Sequence, residues 1–255
     1  VENGAKEIIL LGQNVNAYNF HNQKLSDLLY KLDKIKELER IRYTTSHPKD
    51  VTDDLIEAHQ KCKKLMPILH LPVQSGSSKI LKDMNRDHSV EEYLLKIKRL
   101  KEKKPNIKFS SDFIIGYPGE TKEDFQATIS LLKKVGFINS FSFIYSSRPG
   151  TPAANLKMVD LKIAKERLSS FQKVAGQIKK DYREKLINST ATVLFENQTK
   201  NKMGYFGRDE YFNSVIVTSN ENLIGKIKKV KINQCNQNTL FGEIILNINQ
   251  KEFAA

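Results

Sequence analysis

Cysteine is nearly absent, with only Cys62 and Cys235 in 255 residues. They lie far apart, and neither belongs to a Cys-x-x-Cys pair or a Cys/His cluster. They therefore build neither a disulfide framework nor a metal-ligand set, and no metal site is expected in this chain. Both read as structural or surface thiols, in keeping with a reducing cytoplasm. Long apolar runs are missing too. Hydrophobic residues make up 39% of the chain, and none of their runs approaches the roughly 20 residues a membrane helix needs. A soluble, globular protein with no membrane partner is expected. The N-terminus has no succession of basic, apolar and small residues, so no signal peptide is expected. It has no Met either; Val1 opens in what reads as the tail of a helix, which points to an excerpt of a longer polypeptide. Arginine is also scarce, with eight of the 42 basic residues. That tempers the net charge of +13, because lysines on helix faces mostly solvate those faces. Charge alone does not establish nucleic-acid binding.

What is present is an alternation. Apolar, β-rich runs at 7–12, 40–45, 68–73, 108–116 and 140–145 are separated by segments of helical periodicity. Leu28, Leu29, Leu32, Ile35 and Leu38 recur at helical spacing, and a further helix is expected over 51–65. Ser89 with Glu92 forms a capping box for a helix stopped by Pro105. Thr121 with Asp124 caps another, whose Phe125, Ile129 and Leu132 share a face and which Gly136 closes. Strand, loop and helix at this spacing predict βαβ units and an open or closed parallel α/β barrel. In such barrels chemistry gathers on the loops after the strand C-termini. Here those loops are polar and punctuated by Gly or Pro: 12–16, 46–48, 74–77, 116–120 and 146–150. The opposite strand ends are plain Lys-rich connections.

Beyond Pro152 the texture changes. A long charged helix over 156–188 reads as a link. Short strands at 191–195, 211–218, 225–232 and 240–247, separated by Asn and Gly turns, predict a small antiparallel barrel over 189–249, then a tail at 250–255.

The loops spell something specific. Leu10-Leu11-Gly12-Gln13-Asn14-Val15-Asn16, Arg42-Tyr43-Thr44-Thr45-Ser46-His47-Pro48 and His70-Leu71-Pro72-Val73-Gln74-Ser75-Gly76-Ser77 follow in order. Ser110-Ser111-Asp112-Phe113-Ile114-Ile115-Gly116-Tyr117-Pro118-Gly119-Glu120 and Phe143-Ile144-Tyr145-Ser146-Ser147-Arg148-Pro149-Gly150 complete the set. Together they resemble the MiaB-type tRNA methylthiotransferases of the radical S-adenosylmethionine (SAM) class. Gly207-Arg208-Asp209, Asn213-Ser214-Val215 and Leu223-Ile224-Gly225-Lys226 resemble the RNA-binding TRAM module of that family.

The resemblance implies a partial (β/α)6 barrel over 1–155, without its first strand and helix, followed by a small all-β domain. It implies SAM and, in a complete enzyme, two 4Fe–4S clusters, one held by C-x3-C-x2-C. It also implies an electron-donor protein and methylthiolation of N6-isopentenyladenosine beside the tRNA anticodon. The cluster cysteines are missing here, so the chain alone is expected to be inert. A separate N-terminal polypeptide carrying them is one possible partner.

Gly12 and Gln13 are expected near the SAM ammonium, and Ser46, Gln74 and Ser75 near its ribose or carboxylate. Ile114, Gly116 and Glu120 are expected on the adenine side, with Tyr145 offering backbone groups and Arg148 an anion partner. Each also reads as a turn or cap residue, Glu120 in particular as a helix-start charge. His47 and His70 read as structural. Arg208, Lys226, Lys228, Lys229 and Lys231 are candidates for tRNA phosphates, with Phe206 and Tyr211 near enough to stack on bases. Other branches of the family, with threonylcarbamoyl-adenosine tRNA or a ribosomal protein as substrate, stay open. So does a non-catalytic RNA-binding remnant or split-gene half.

Overall fold

The computed structural model describes residues 1–200 and 202–245. They form two compact units, the first from residues 1–2 and 6–179, the second from residues 3–5 and the described part of 180–255. Residues 1–6 form a turn with Gly4 at φ +89°, where the sequence suggested the end of a helix.

In the first unit the strands are β1 (Glu7–Leu10), β4 (Arg40–Tyr43), β5 (Ile68–His70), β6 (Lys108–Ile115) and β7 (Asn139–Ile144), with the hairpin β2 (Asn19–Phe20) and β3 (Gln23–Lys24) lying apart. β1 pairs parallel with β4, and β5, β6 and β7 pair parallel in that order. A parallel bridge links Ile41 of β4 to Leu65, in the segment that leads into β5. The five strands expected from the alternation are all present, in sequence order, and β1 and β7 form the edges.

Helices α1 (Leu25–Asp33), α2 (Asp53–Lys61), α3 (Ser78–Asp83), α4 (Val90–Lys103), α5 (Lys122–Val135) and α6 (Leu161–Glu184) follow the strands. The capping boxes form as read: Glu92 N–H donates to Ser89 Oγ at 3.1 Å, and Asp124 N–H to Thr121 Oγ1 at 3.2 Å. Gly136 ends α5 at φ +69°, a left-handed conformation that costs a residue without Cβ little. α1 stops at Asp33, so Ile35 and Leu38 pack from a turn rather than from helix. α2 is shorter than the 51–65 expected, and α3 was not expected at all.

One face of the sheet is dry. Ile41, Leu69, Phe109, Phe113 and Ile115 point to the helices and pack with Leu55, Ile97, Phe125, Leu132 and Phe171 in one core. Phe171 lies on α6, with its ring 4.7 Å from that of Phe113. The helix expected as a link over 156–188 is therefore divided: its length through Lys179 belongs to the barrel unit.

The second unit is a closed barrel of β8 (Thr190–Gln198), β9 (Tyr205–Arg208), β10 (Ser214–Val217), β11 (Ile227–Cys235) and β12 (Thr239–Ile244), in the order β10-β12-β11-β8-β9. Its interior is Val193, Phe195, Val215, Val217, Val230, Ile232 and Leu240. Two expectations change. β9 is an additional strand, and β10 pairs parallel with β12, so the barrel is not wholly antiparallel. Residues 211–213 are a turn, because Asp209 collects them: its Oδ1 accepts from the N–H of Tyr211 and of Asn213 at 2.9 and 2.8 Å. The expected end of the last strand at 246–247 and the tail at 250–255 lie outside the described residues.

Candidate functional site

The barrel rim is built by loops that hold one another. Asn16, buried in the loop after β1, donates from Nδ2 to His47 O and accepts from His47 N–H, both at 2.8 Å. Asn14 donates to Asp50 Oδ2 at 2.7 Å. These contacts fix the turn after β4, where Thr45 takes φ +58°. Ser46 is 6% exposed, and its Oγ is buried with no hydrogen-bond partner. A buried hydroxyl without a partner is costly, so this atom suits a polar group delivered to the rim. Gly12 and Gln13 are exposed in the loop after β1.

After β5 the chain continues irregularly. Gln74 sits at φ +75°, donates its N–H to Asp112 O at 3.0 Å and accepts from Ile114 N–H at 2.9 Å. Its side chain is buried at the rim. Ser75 turns away, its Oγ lying 3.4 Å from Thr128 Oγ1 and accepting from Ser77 N–H at 3.2 Å. Gly76 allows that approach, since a Cβ there would stand 2.4 Å from Thr128 Cα. Of the two residues expected from this loop, Gln74 lies at the rim and Ser75 fastens the loop to α5.

After β6, Gly116 takes φ +73° and its N–H donates to Glu120 Oε1 at 3.1 Å. A Cβ at Gly116 would stand 2.9 Å from Ala164 Cβ. The close neighbour that requires glycine is thus α6. Glu120 is buried, and Arg167 donates to its Oε1 at 2.7 Å and its backbone O at 3.0 Å. Burial pushes the Glu120 carboxyl up, and Arg167 opposes it. Ile114 is half-buried on the sheet face opposite the helices, while Tyr145 stacks edge-on against Tyr117 at 4.9 Å. Arg148 lies exposed in the loop after β7.

Two groups not singled out from the sequence, His88 and Arg86, gather here beside His47. The His47 and His88 rings meet edge to face at 5.5 Å. Burial pushes His88 down to about 4, and the His47 and Arg86 charges push the same way. Burial likewise lowers Arg86, with Asp112 opposing. Burial lowers His47 as well, and the Arg86 charge pushes it the same way. A signal existed: Arg86 is one of only eight arginines in a lysine-rich chain.

The sheet face away from the helices carries a second set. Arg42 Nε lies 3.0 Å and Arg40 Nη1 3.8 Å from Glu7 Oε2. His70 Nδ1 lies 2.9 Å from Ser110 Oγ, and its Nε2 3.5 Å from Asp112 Oδ2. Neither cysteine is near such a cluster: Cys62 is buried at the end of α2, and Cys235 lies on β11. No group of three or more His, Cys, Asp or Glu able to hold a metal occurs among the described residues. The residues present do not fit an iron–sulfur cluster, which needs three or four converging thiolates.

In the second unit Lys229 and Lys231 are exposed and pair in register with Thr192 and Thr190. Lys228 does not join them; it alternates to the side of Val230 and Ile232, at the barrel's end. Lys226 is exposed before β11. Arg208 lies over Phe212 at 4.3 Å and Phe206 at 5.3 Å, and 3.5 Å from Glu196. Tyr211 is half-buried in the adjoining turn.

No helix among the described residues is long and apolar enough to cross a membrane. Comparison with known proteins agrees with the two units. The family model of the radical SAM superfamily matches residues 1–132, and that of the TRAM domain matches residues 184–245. A tRNA-2-methylthio-N(6)-dimethylallyladenosine synthase of Pelagibacter ubique is 56% identical over 96% of this chain and 56% of its own. Proteins of the same name from Ruegeria sp. (47% identical, 96% of this chain, 57% of that one) and Zymomonas mobilis (47%, 100% and 58%) are also similar. The chain spans about half the length of these curated relatives, covering 56–58% of each. A parallel barrel with polar loops at its strand C-termini, and a matching family model over more than half its residues, make this chain a member of the radical SAM superfamily that also carries a TRAM domain.

Proposed function

We propose that this chain is the barrel and RNA-binding portion of a tRNA methylthiotransferase acting on N6-dimethylallyladenosine. The observation that carries the reading is the shared name of relatives 47–56% identical along nearly the whole chain. The barrel residues would hold SAM at the strand C-termini. Gln13 and the unpartnered Ser46 hydroxyl would take the amino-acid end, and Arg86, neighbour to both histidines, its carboxylate. Gln74 would serve the ribose. Ile114 and the backbone at Gly116 and Tyr145 would flank the adenine. Ser75 and Glu120 act at one remove, by fixing the loops that carry these groups. The TRAM unit would hold tRNA through Lys226, Lys229, Lys231 and Arg208, using phosphate contacts that position the RNA without reading its bases.

With its two cysteines apart, this chain by itself is proposed to be inactive. The cluster thiolates would come from other sequence, either of the same protein or of a separate polypeptide, and electrons from a donor protein, in the cytoplasm. The deciding experiment takes the chain and the chain joined to the coding sequence upstream of Val1. After anaerobic reconstitution with iron and sulfide, SAM turnover to deoxyadenosine and methylthio incorporation into dimethylallyl-adenosine tRNA are measured. The chain alone should hold no cluster and give no product, whereas the extended protein should give both. Product from the chain alone, or none on this tRNA from the extended protein, would overturn the reading.

A further inference from the structure

The sheet face away from the helices is apolar along both edges, where a solvated surface should be polar. On β6, Phe109, Phe113 and Ile115 point into the helix-covered core, so Ser110, Asp112 and Ile114 point the other way. In-register pairing places Phe141 beside Asp112 and Phe143 beside Ile114. The His70 ring, 6.1 Å from that of Phe141, lies on the same face. Phe141 and Phe143 are 52% and 59% exposed. At the other edge Ile8 and Leu10 pack on the core, so Ile9 alternates to this face; it is 38% exposed, and Leu11 just beyond the strand is 77% exposed. Neighbouring large apolar side chains left exposed on one strand, as Phe141 and Phe143 are, mark a candidate binding surface.

The floor between these edges is polar, but its charges are engaged. Arg40 and Arg42 both lie against Glu7, and His70 is held between Ser110 and Asp112. Such a floor, its polar groups already held by one another, offers fixed hydrogen-bond partners to the polar edge of a base. Aromatic walls beside it favour a flat ring and a branched hydrocarbon.

We infer that Phe141 and Phe143 form the wall that receives the dimethylallyl group of the target adenosine, making them the residues that distinguish the prenylated base from plain adenosine. This rests on the tRNA reading above and adds to it a location and a cause of selectivity. An unprenylated base would leave both phenyl rings facing water. The prenylated base would bury them together with its own branched carbons, a gain that depends on apolar area and not on charge. Neither ring is part of the core, so both can be replaced without opening a cavity.

The test uses the 255-residue chain and two fluorescent anticodon stem-loop RNAs that differ only in the dimethylallyl group, with anisotropy as the readout. The wild-type chain should bind the prenylated RNA about tenfold more tightly, the order of discrimination that a small apolar group gives in a fitted pocket. Phe141→Ser and Phe143→Ser should bring the two affinities together while leaving that for the plain RNA unchanged. Phe143→Leu should keep most of the preference, and circular dichroism should show all variants folded. Equal affinity of the wild-type chain for both RNAs, or a preference that survives both serine variants, would overturn the inference and assign this face to a protein partner instead. Failure to bind either RNA would strike the tRNA reading itself, so the two failures are distinguishable.

Discussion

Arg167 on α6 reaches Glu120 in the loop after β6 at 2.7 Å, and through it the N–H of Gly116. The Glu120 side chain is 1% and that of Arg167 14% exposed. The pair joins a helix outside the barrel to a rim loop, and its two halves depend on each other. Removing one member leaves a buried charge without its partner. Arg167→Met should therefore destabilise the protein by about 3 kcal/mol. The double variant with Glu120→Gln should recover much of that loss, because it removes the orphaned charge. Urea unfolding midpoints of the two single variants and the double variant measure the coupling.

His59 supplies a pH dependence. It is fully enclosed, with its Nε2 2.6 Å from the Tyr43 hydroxyl, and burial holds it down to about 3. In the unfolded chain it titrates near 6.5. Between those values the unfolded state binds a proton that the folded state refuses, so stability falls as pH drops from 6.5 toward 3 and is constant from this source above 6.5. The slope is at most about 1.4 kcal/mol per pH unit. His59→Leu costs stability at every pH by leaving the Tyr43 hydroxyl unpaired. Even so, between pH 7.5 and 4.5 it should lose about 2.7 kcal/mol less than wild type.

Gly76 and Gly119 predict opposite reasons for intolerance. At Gly76 a Cβ would stand 2.4 Å from Thr128 Cα, so Gly76→Ala must push α5 off the loop and should cost about 3 kcal/mol. Gly119 has open space but φ +81°, so Gly119→Ala should cost only the left-handed strain, about 1–2 kcal/mol. Thermal unfolding of the two variants separates steric from conformational cost.

Lys229 and Lys231 should act together on tRNA, and Lys228 should not. Replacing Lys229 and Lys231 with Ala should reduce the slope of log K against log salt by about two units, one for each lost phosphate contact. Lys228→Ala should leave it unchanged. A titration across salt concentrations reads both outcomes.

The sequence carried the barrel because five apolar runs and two capping boxes each agree with the structure around them, as Ser89 with Glu92 and Thr121 with Asp124 do. β9 was not legible: Tyr205, Phe206, Gly207 and Arg208 form four residues broken by a glycine, and only closure of the barrel makes them a strand. The rim was legible as loops but not as contacts. Ser75 meets Thr128 and Glu120 meets Arg167, partners that lie 53 and 47 residues further along the chain. Local pattern cannot encode so distant a partner. Arg86 and His88 were missed for the converse reason, since they follow α3, an element the pattern did not show.

The position of β12 has a consequence for the order of events during synthesis. It lies between β10 and β11, pairing with both, although it is the last strand of the described chain. Until residues 239–244 have been made, the ring is broken at two seams, and β10 and β11 each present a bare edge. The other four strands can gather as they emerge, but they cannot close. The barrel's fold is thus decided by its final strand, and a nascent chain stopped short of Thr239 holds four strands and no barrel.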